Sequence, residues 1–172
     1  MVKHLINNVL DLINKIKMDK AKLYLKTIFC CMACDGEIAK EEIEMVKNIS
    51  SKNNIFSSLD VESLINQWIV ALNENGAVFL KSFLNELYLE DLTFKEQMLI
   101  IDFALKTIEA DNCIEYSEIK FFKKLRDRLS VSDEDILQRY PDKEDFLLAD
   151  VKISDELNWD NNIQFAQISL NL

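Results

Sequence analysis

Two carboxylates seven residues apart, Asp35 and Glu42, have a spacing that suggests metal chemistry. They lie in "ACDGEIAKEE", residues 33–42, which reproduces the second half of an EF-hand calcium loop: Asp-Gly, an isoleucine and a glutamate. A calcium ion takes about six to eight oxygen ligands, so a complete loop also needs oxygens at its first and third positions. Cys31 and Ala33 occupy those positions here. The first stretch is therefore not an EF-hand.

The same pattern recurs 76 residues further along, as "ADNCIEYSEI" at residues 110–119. Asp111 matches Asp35, and Glu118 matches Glu42. An internal repeat of this kind indicates that one structural unit is used twice. We expect each copy to be a helix, a turn and a second helix, and the two units to face each other across a pseudo-twofold axis.

The second copy carries more oxygen ligands than the first. Thr107 and Glu109 stand at its first and third positions and Glu115 at its ninth, while Asn112 replaces the glycine. Asparagine tolerates a left-handed backbone nearly as well as glycine does. The second copy is at best a degenerate calcium loop.

Two interpretations of the paired turns remain open at the level of sequence. In the first, no metal is needed: Gly36 and Asn112 permit a left-handed turn, Ile38 and Ile114 anchor it in the core, the aspartates accept backbone N–H groups and the glutamates begin the next helix. In the second, the turns hold a divalent cation (calcium, magnesium or manganese).

The elements that position these turns are predicted to be helices throughout. The chain has 172 residues, is 49% hydrophobic, and contains two glycines and one proline, so few residues interrupt a helix. Apolar residues at helical spacing predict an all-α bundle of about eight helices. We place them at residues 2–17, 20–34 (capped by Asp19), 39–51, 60–72, 77–89, 93–109, 116–129 and 132–139, with a turn over "NENG" at 73–76.

The cysteines suggest a second kind of chemistry, because Cys31 and Cys34 form a C-x-x-C pair. They lie in an apolar helical run, no second C-x-x-C follows, and the single histidine is His4. We therefore expect the cysteines to pack in the core as small apolar residues, with metal or redox chemistry as the alternative.

The charge of the chain is negative and unevenly distributed. Its formal net charge is −10, which opposes binding to a nucleic acid. From Asp133 onward ten acidic residues face three basic ones, so this part is either a solvated segment or a surface for a basic partner. The sequence has no apolar run long enough to span a membrane and no pattern typical of a signal peptide, so we expect a cytoplasmic protein.

Residues beyond Asp150 have apolar side chains spaced by two, which is typical of an extended segment. We assign residues 1–141 to the helical domain and 142–172 to an acidic, extended C-terminal tail. The tail either packs on its own domain or docks on another chain.

The stretches "ACDGEIAKEEIEMVKNI" and "EADNCIEYSEIKFFKKL" resemble the two halves of the TerB-like domain of tellurite-resistance proteins, also found in a DnaJ-type co-chaperone. The similarity covers residues 5–140. It implies a pseudo-symmetric helical bundle whose acidic turns cluster on one side and form a surface proposed to bind metal. Carried over by position, the resemblance implies that the metal ligands would be Asp35, Glu42, Asp111 and Glu118. Asn112 and Cys113 depart from the usual Asp-Gly pattern.

The resemblance implies a non-enzymatic module of bacterial stress response or defence, and the acidic helical surface predicts that it binds a protein partner through its acidic face or its tail. The alternative is a divalent-cation sensor or buffer built on the paired turns. We expect no enzyme, because the sequence shows no nucleophile with a base and no glycine-rich phosphate loop.

Overall fold

The fold was obtained as a computed structural model, which describes residues 19–36, 38, 44–46, 48, 54–110 and 112–148. These residues form helices joined by turns, with no strand among them, so the predicted all-α class is confirmed. Residues 19–32 are helical and are called α1, and residues 44–46 and 48 are helical too. The remaining helices are α2 (Val61–Asn75), α3 (Ala77–Leu89), α4 (Phe94–Ile108), α5 (Tyr116–Arg126), α6 (Asp133–Arg139) and α7 (Glu144–Leu147).

Three helices begin one residue after the predicted starts at 60, 93 and 132, because the residue at each predicted start is the cap. The Asp60 carboxylate accepts the backbone N–H three residues ahead at 3.1 Å and starts α2. Thr93 and Glu96 form a reciprocal capping box at α4, where the Thr93 N–H donates to the glutamate at 2.8 Å. Ser132 caps α6 by accepting the Asp135 N–H at 3.1 Å. Each cap satisfies donors that a helix would otherwise leave without a partner.

Other predicted boundaries are wrong. Asp19 lies inside α1 rather than ahead of it, and α5 ends at Arg126 instead of residue 129. The turn predicted over 73–76 is reduced to Gly76, whose φ of 52° places it in the left-handed region. The helix continues to Asn75 because that side chain donates to the Ala71 carbonyl at 2.8 Å, which satisfies its amide within the helix.

The helices share one core. Helix α2 packs against α3, α3 and α4 pack against α5, and α5 packs against α7. Aromatic rings join distant parts of the chain: Phe103 of α4 contacts both Tyr24 and Phe56, and Phe83 of α3 stacks on Phe121 of α5. Burial of one large apolar side chain stabilises a fold by about 1.5–3 kcal/mol, so these contacts carry much of its stability.

Two polar networks fix the chain after α5 to α4. Gln97 accepts the Ser130 and Val131 N–H groups at 2.7 and 3.2 Å. Asp102, which is buried, accepts the Tyr140 hydroxyl at 2.6 Å. Burial and this hydrogen bond raise the pKa of Tyr140 to about 12. The polypeptide is therefore held against α4 at both ends of α6.

Several predicted elements fall outside the described residues. They are the helix over 2–17, most of the helix over 39–51, and residues 149–172, which include most of the predicted tail. The first residues of the segment assigned to the tail are described, and residues 144–147 of it are the helix α7. Across the described ranges, no helix has the length and apolar character needed to cross a membrane.

Candidate functional site

The two turns have matching backbones. Gly36 has a φ of 95° and Asn112, its counterpart 76 residues later, a φ of 61°. The Gly36 N–H donates to the Ala33 carbonyl at 3.2 Å, and the Asn112 N–H donates to the Glu109 carbonyl at 3.3 Å. These pairs of donor and acceptor occupy equivalent positions in the repeat. The predicted left-handed turns are confirmed.

The helices that lead into the turns also end at equivalent residues, α1 at residue 32 and α4 at Ile108. The Ala33 N–H donates to the Phe29 carbonyl, and the Glu109 N–H donates to the Leu105 carbonyl, both at 3.1 Å. The repeat recognised in the sequence is therefore a repeat of backbone hydrogen bonds. The rings of Tyr24 and Phe103, 6.0 Å apart, bring the first helices of the two units into contact.

The turns differ in how their isoleucines are placed. Ile38 is half-buried and packs against the core, as predicted. Ile114 is 43% exposed, and residues 112–116 are all exposed. The prediction that Ile114 anchors the second turn in the core is therefore wrong. A matching sequence did not produce a matching environment, because burial depends on what the rest of the chain packs over each turn.

Glu118 is buried and serves the backbone of its own helix. It is the third residue of α5, and its Oε2 accepts the Glu115 N–H at 2.7 Å. A glutamate at this position satisfies one of the donors that open the helix. The predicted position of Glu118 early in the second helix is confirmed, and its observed role is capping.

Two further side chains of the second turn also make contacts within the protein. The Thr107 hydroxyl donates to the Phe103 carbonyl at 2.7 Å and is buried. Glu109 forms an ion pair with Lys143, which precedes α7. Hydrogen bonds from Lys143 to Asp142 and Glu109 raise the pKa of the lysine. A cation at this turn would have to compete with an ammonium group already in place.

The metal-ligand set proposed from the sequence is placed only in part. Asp35 is half-buried and Glu118 is buried, while Glu42 and Asp111 lie outside the described residues. Within the part of the chain that the structure describes, no group of three or more histidine, cysteine or acidic side chains could hold a metal ion. The four-residue metal site stays a prediction.

The cysteines divide into two environments. Cys30, Cys31 and Cys34 are fully buried, as expected for core packing. The Cys34 thiol donates to the Cys31 carbonyl at 3.1 Å, and burial raises the pKa of Cys30. Cys113 lies in the second turn and is exposed, contrary to expectation. The C-x-x-C pair follows from the spacing of the buried face of α1.

Two residues that cover the second unit, Lys143 and Phe146, were not predicted from the sequence. Phe146 is buried, and its ring meets Phe122 edge-on at 5.6 Å. The available signal was the apolar run at 146–148, which interrupts an acidic segment directly after Pro141. A run of this kind inside charged sequence indicates a short contact with the core.

We predict that Glu118→Ala lowers the free energy of unfolding by about 0.5–2 kcal/mol, the range for loss of a helix cap. Glu118→Gln should stay close to wild type, because an amide oxygen still accepts the Glu115 N–H. Chemical denaturation followed by circular dichroism measures both. The capping role is contradicted if Glu118→Gln is as destabilised as Glu118→Ala.

Comparisons of the chain with models of protein families, with curated proteins and with solved structures give no match. The likeness to the TerB-like domain is therefore carried by the two repeat stretches alone. It remains a prediction.

Proposed function

We propose that this protein is a non-enzymatic interaction module of bacterial stress response or defence, of TerB-like type, that binds a basic protein partner. The observation that carries the proposal is the acidic segment, defined here as residues 133–148, which contains six acidic residues and two basic ones. Such a surface attracts a positively charged partner and accelerates its association.

Half of the acidic side chains in this segment make internal contacts. Asp133 pairs with Arg126 at 2.5 Å, Asp135 accepts the Ser132 hydroxyl at 2.8 Å, and Asp142 accepts a hydrogen bond from Lys143 at 2.6 Å. The other three, Glu134, Glu144 and Asp145, are exposed. In the first group, Asp133 joins the segment to α5, while Asp135 and Asp142 make local contacts with the cap of α6 and with Lys143. The second group is available to a partner.

The acidic segment is also held rigidly at its first half. Gln97 binds the backbone directly ahead of α6, and Asp102 binds Tyr140 directly after it. A charged surface on a fixed backbone loses little conformational entropy when a partner binds. This property favours an interaction surface over a solvated segment.

Three acidic or hydroxyl side chains in and beside the second turn already make contacts within the protein, which favours the interaction module over the cation sensor. Glu109 is paired with Lys143, Glu118 caps α5, and the Thr107 hydroxyl is bonded to the backbone. Sensor loops keep their oxygens available for the ion. The proposed contact surface is therefore the acidic segment, and the turns are the frame that carries it.

Reversing two exposed charges of the acidic segment should abolish partner binding. We expect Glu134→Lys with Asp145→Lys to reduce capture of the partner from a lysate of the native host by about tenfold or more, equivalent to about 1.4 kcal/mol. The physical reason is that lysines place positive charge against a basic partner. Captured protein is quantified by mass spectrometry at low and high salt.

The matched control is Glu62→Lys with Glu74→Lys on α2. Both glutamates are exposed, and Glu62 occupies the same position in α2 that Glu134 has in α6, one residue after the first. The control changes the net charge equally but leaves the acidic segment intact. Equal capture by the wild type and both variants would rule out the acidic segment as the contact surface.

A further inference from the structure

Residues 142–147, called the strap, lie over the second helix–turn–helix unit. Lys143 forms its ion pair with Glu109 of the turn, and Phe146 packs edge-on against Phe122 of α5. The Lys143 side chain is 16% exposed, and Phe146 is 6% exposed. The strap thus contacts the second unit through two side chains three residues apart, an ammonium group on a carboxylate and a ring on a ring.

The two residues that receive the strap are among the positions at which the second unit differs from the first. Glu109 corresponds to Ala33 and Phe122 corresponds to Val46, at the same offset of 76 residues. Both counterparts are buried, and neither offers a carboxylate or a ring. Glu109 and Phe122, called the receiving face, therefore give the second unit a contact that the first unit lacks the side chains to make.

The strap follows a residue that is firmly anchored to the domain, and a few side chains attach the strap itself. Tyr140 is fixed to Asp102, Pro141 follows it, and α7 is only four residues long. Beyond the anchor, the ion pair of Lys143, the ring of Phe146 and the partly buried Leu147 hold it against the domain. A short segment held by a few side chains opens more readily than the longer helices beneath it.

We propose that the receiving face is a docking surface for a partner segment that carries a lysine and, three residues later, an aromatic residue, and that Lys143 and Phe146 occupy it in cis. The strap itself specifies this chemistry: an ammonium group for Glu109 and a ring for Phe122. The proposal rests on the proposed function and names the contact that its basic partner makes.

The acidic residues of the strap give the partner a route to the face. Asp142, Glu144 and Asp145 are exposed around Lys143. A basic segment is attracted to these carboxylates first, and its own lysine then replaces Lys143 at Glu109. Such exchange is intramolecular competition, in which the strap lowers the apparent affinity of any partner by occupying the site.

The test uses the full chain with Lys143→Ala and Phe146→Ala, and a labelled peptide of residues 140–148. Peptide binding is measured by NMR chemical shifts, with peptide in the millimolar range. We expect the double variant to bind the peptide at least tenfold more tightly than the wild type, with shifts at Glu109 and Phe122. A peptide with both alanine substitutions should not bind.

Adding Glu109→Gln to the double variant should remove the preference for a peptide lysine over alanine, and circular dichroism verifies that each variant keeps its helices. If the double variant is unfolded, the single variant Lys143→Met replaces it, because this change leaves Phe146 in place. The single variant must then bind the peptide more tightly than the wild type does. Equal binding to wild type and variant, or no binding to a folded variant, overturns the docking surface. Equal lysate capture by the wild type and the Glu134→Lys, Asp145→Lys variant, with peptide binding intact, contradicts only the proposed function. Loss of capture in that variant without peptide binding contradicts only the docking surface.

Discussion

Replacing Phe103 with alanine is expected to lower the free energy of unfolding by about 3–5 kcal/mol, the range for removal of a buried phenylalanine. Phe103 is 4% exposed, and its ring lies 6.0 Å from that of Tyr24 in α1 and 5.7 Å from that of Phe56. One truncation thus leaves a cavity shared by α1, α4 and the turn at 54–59. Urea denaturation followed by circular dichroism measures the loss.

Phe94→Ala provides the matched control, since it makes the same chemical change on the same helix. Phe94 is the first residue of α4 and is 55% exposed, so we expect a change within about 0.5 kcal/mol. The central position of Phe103 is contradicted if the two variants unfold at the same urea concentration.

Replacing Gly36 with valine is expected to lower the free energy of unfolding by about 1–3 kcal/mol, the usual cost of a strained backbone. Gly36 has a φ of 95°, which a β-branched residue adopts only with steric strain. It is also buried, so the added methyl groups crowd their neighbours. Thermal unfolding gives a direct measurement.

Asn112 supplies the control for the first turn, because it occupies the same position in the second. It is exposed and has a φ of 61°, so Asn112→Val incurs backbone strain without crowding. We therefore expect Gly36→Val to be the more destabilised variant and Asn112→Gly to be close to wild type. An unchanged melting temperature for Gly36→Val would mean that the left-handed turn is not needed for stability.

Local features of the fold could be predicted from the sequence. The helices predicted to start at 60, 93 and 132 are found within one residue of those starts, because their caps depend on residues at most three positions away. The left-handed turns at Gly36 and Asn112 follow from residue type and from the repeat. Short-range features of this kind can be predicted from the sequence because they do not depend on which distant residues pack against them.

Long-range contacts could not be predicted in the same way. The ion pair of Lys143 with Glu109 joins residues 34 positions apart. Neither stretch of sequence contains a pattern that predicts contact with the other. Ile114 occupies the same position of the repeat as Ile38, yet it is exposed. For the candidate site, the sequence identified the turn acids but not the partners that decide what those acids do.

The separation of the thiols makes the native protein suited to site-specific labelling. All four cysteines lie in described parts of the chain, and Cys113 alone among them is exposed. A maleimide dye should therefore modify one position under native conditions, whereas Cys30, Cys31 and Cys34 become reactive only when α1 leaves the core. The number of dyes per molecule, measured over time, would then report the rate at which the bundle opens, without any engineered residue.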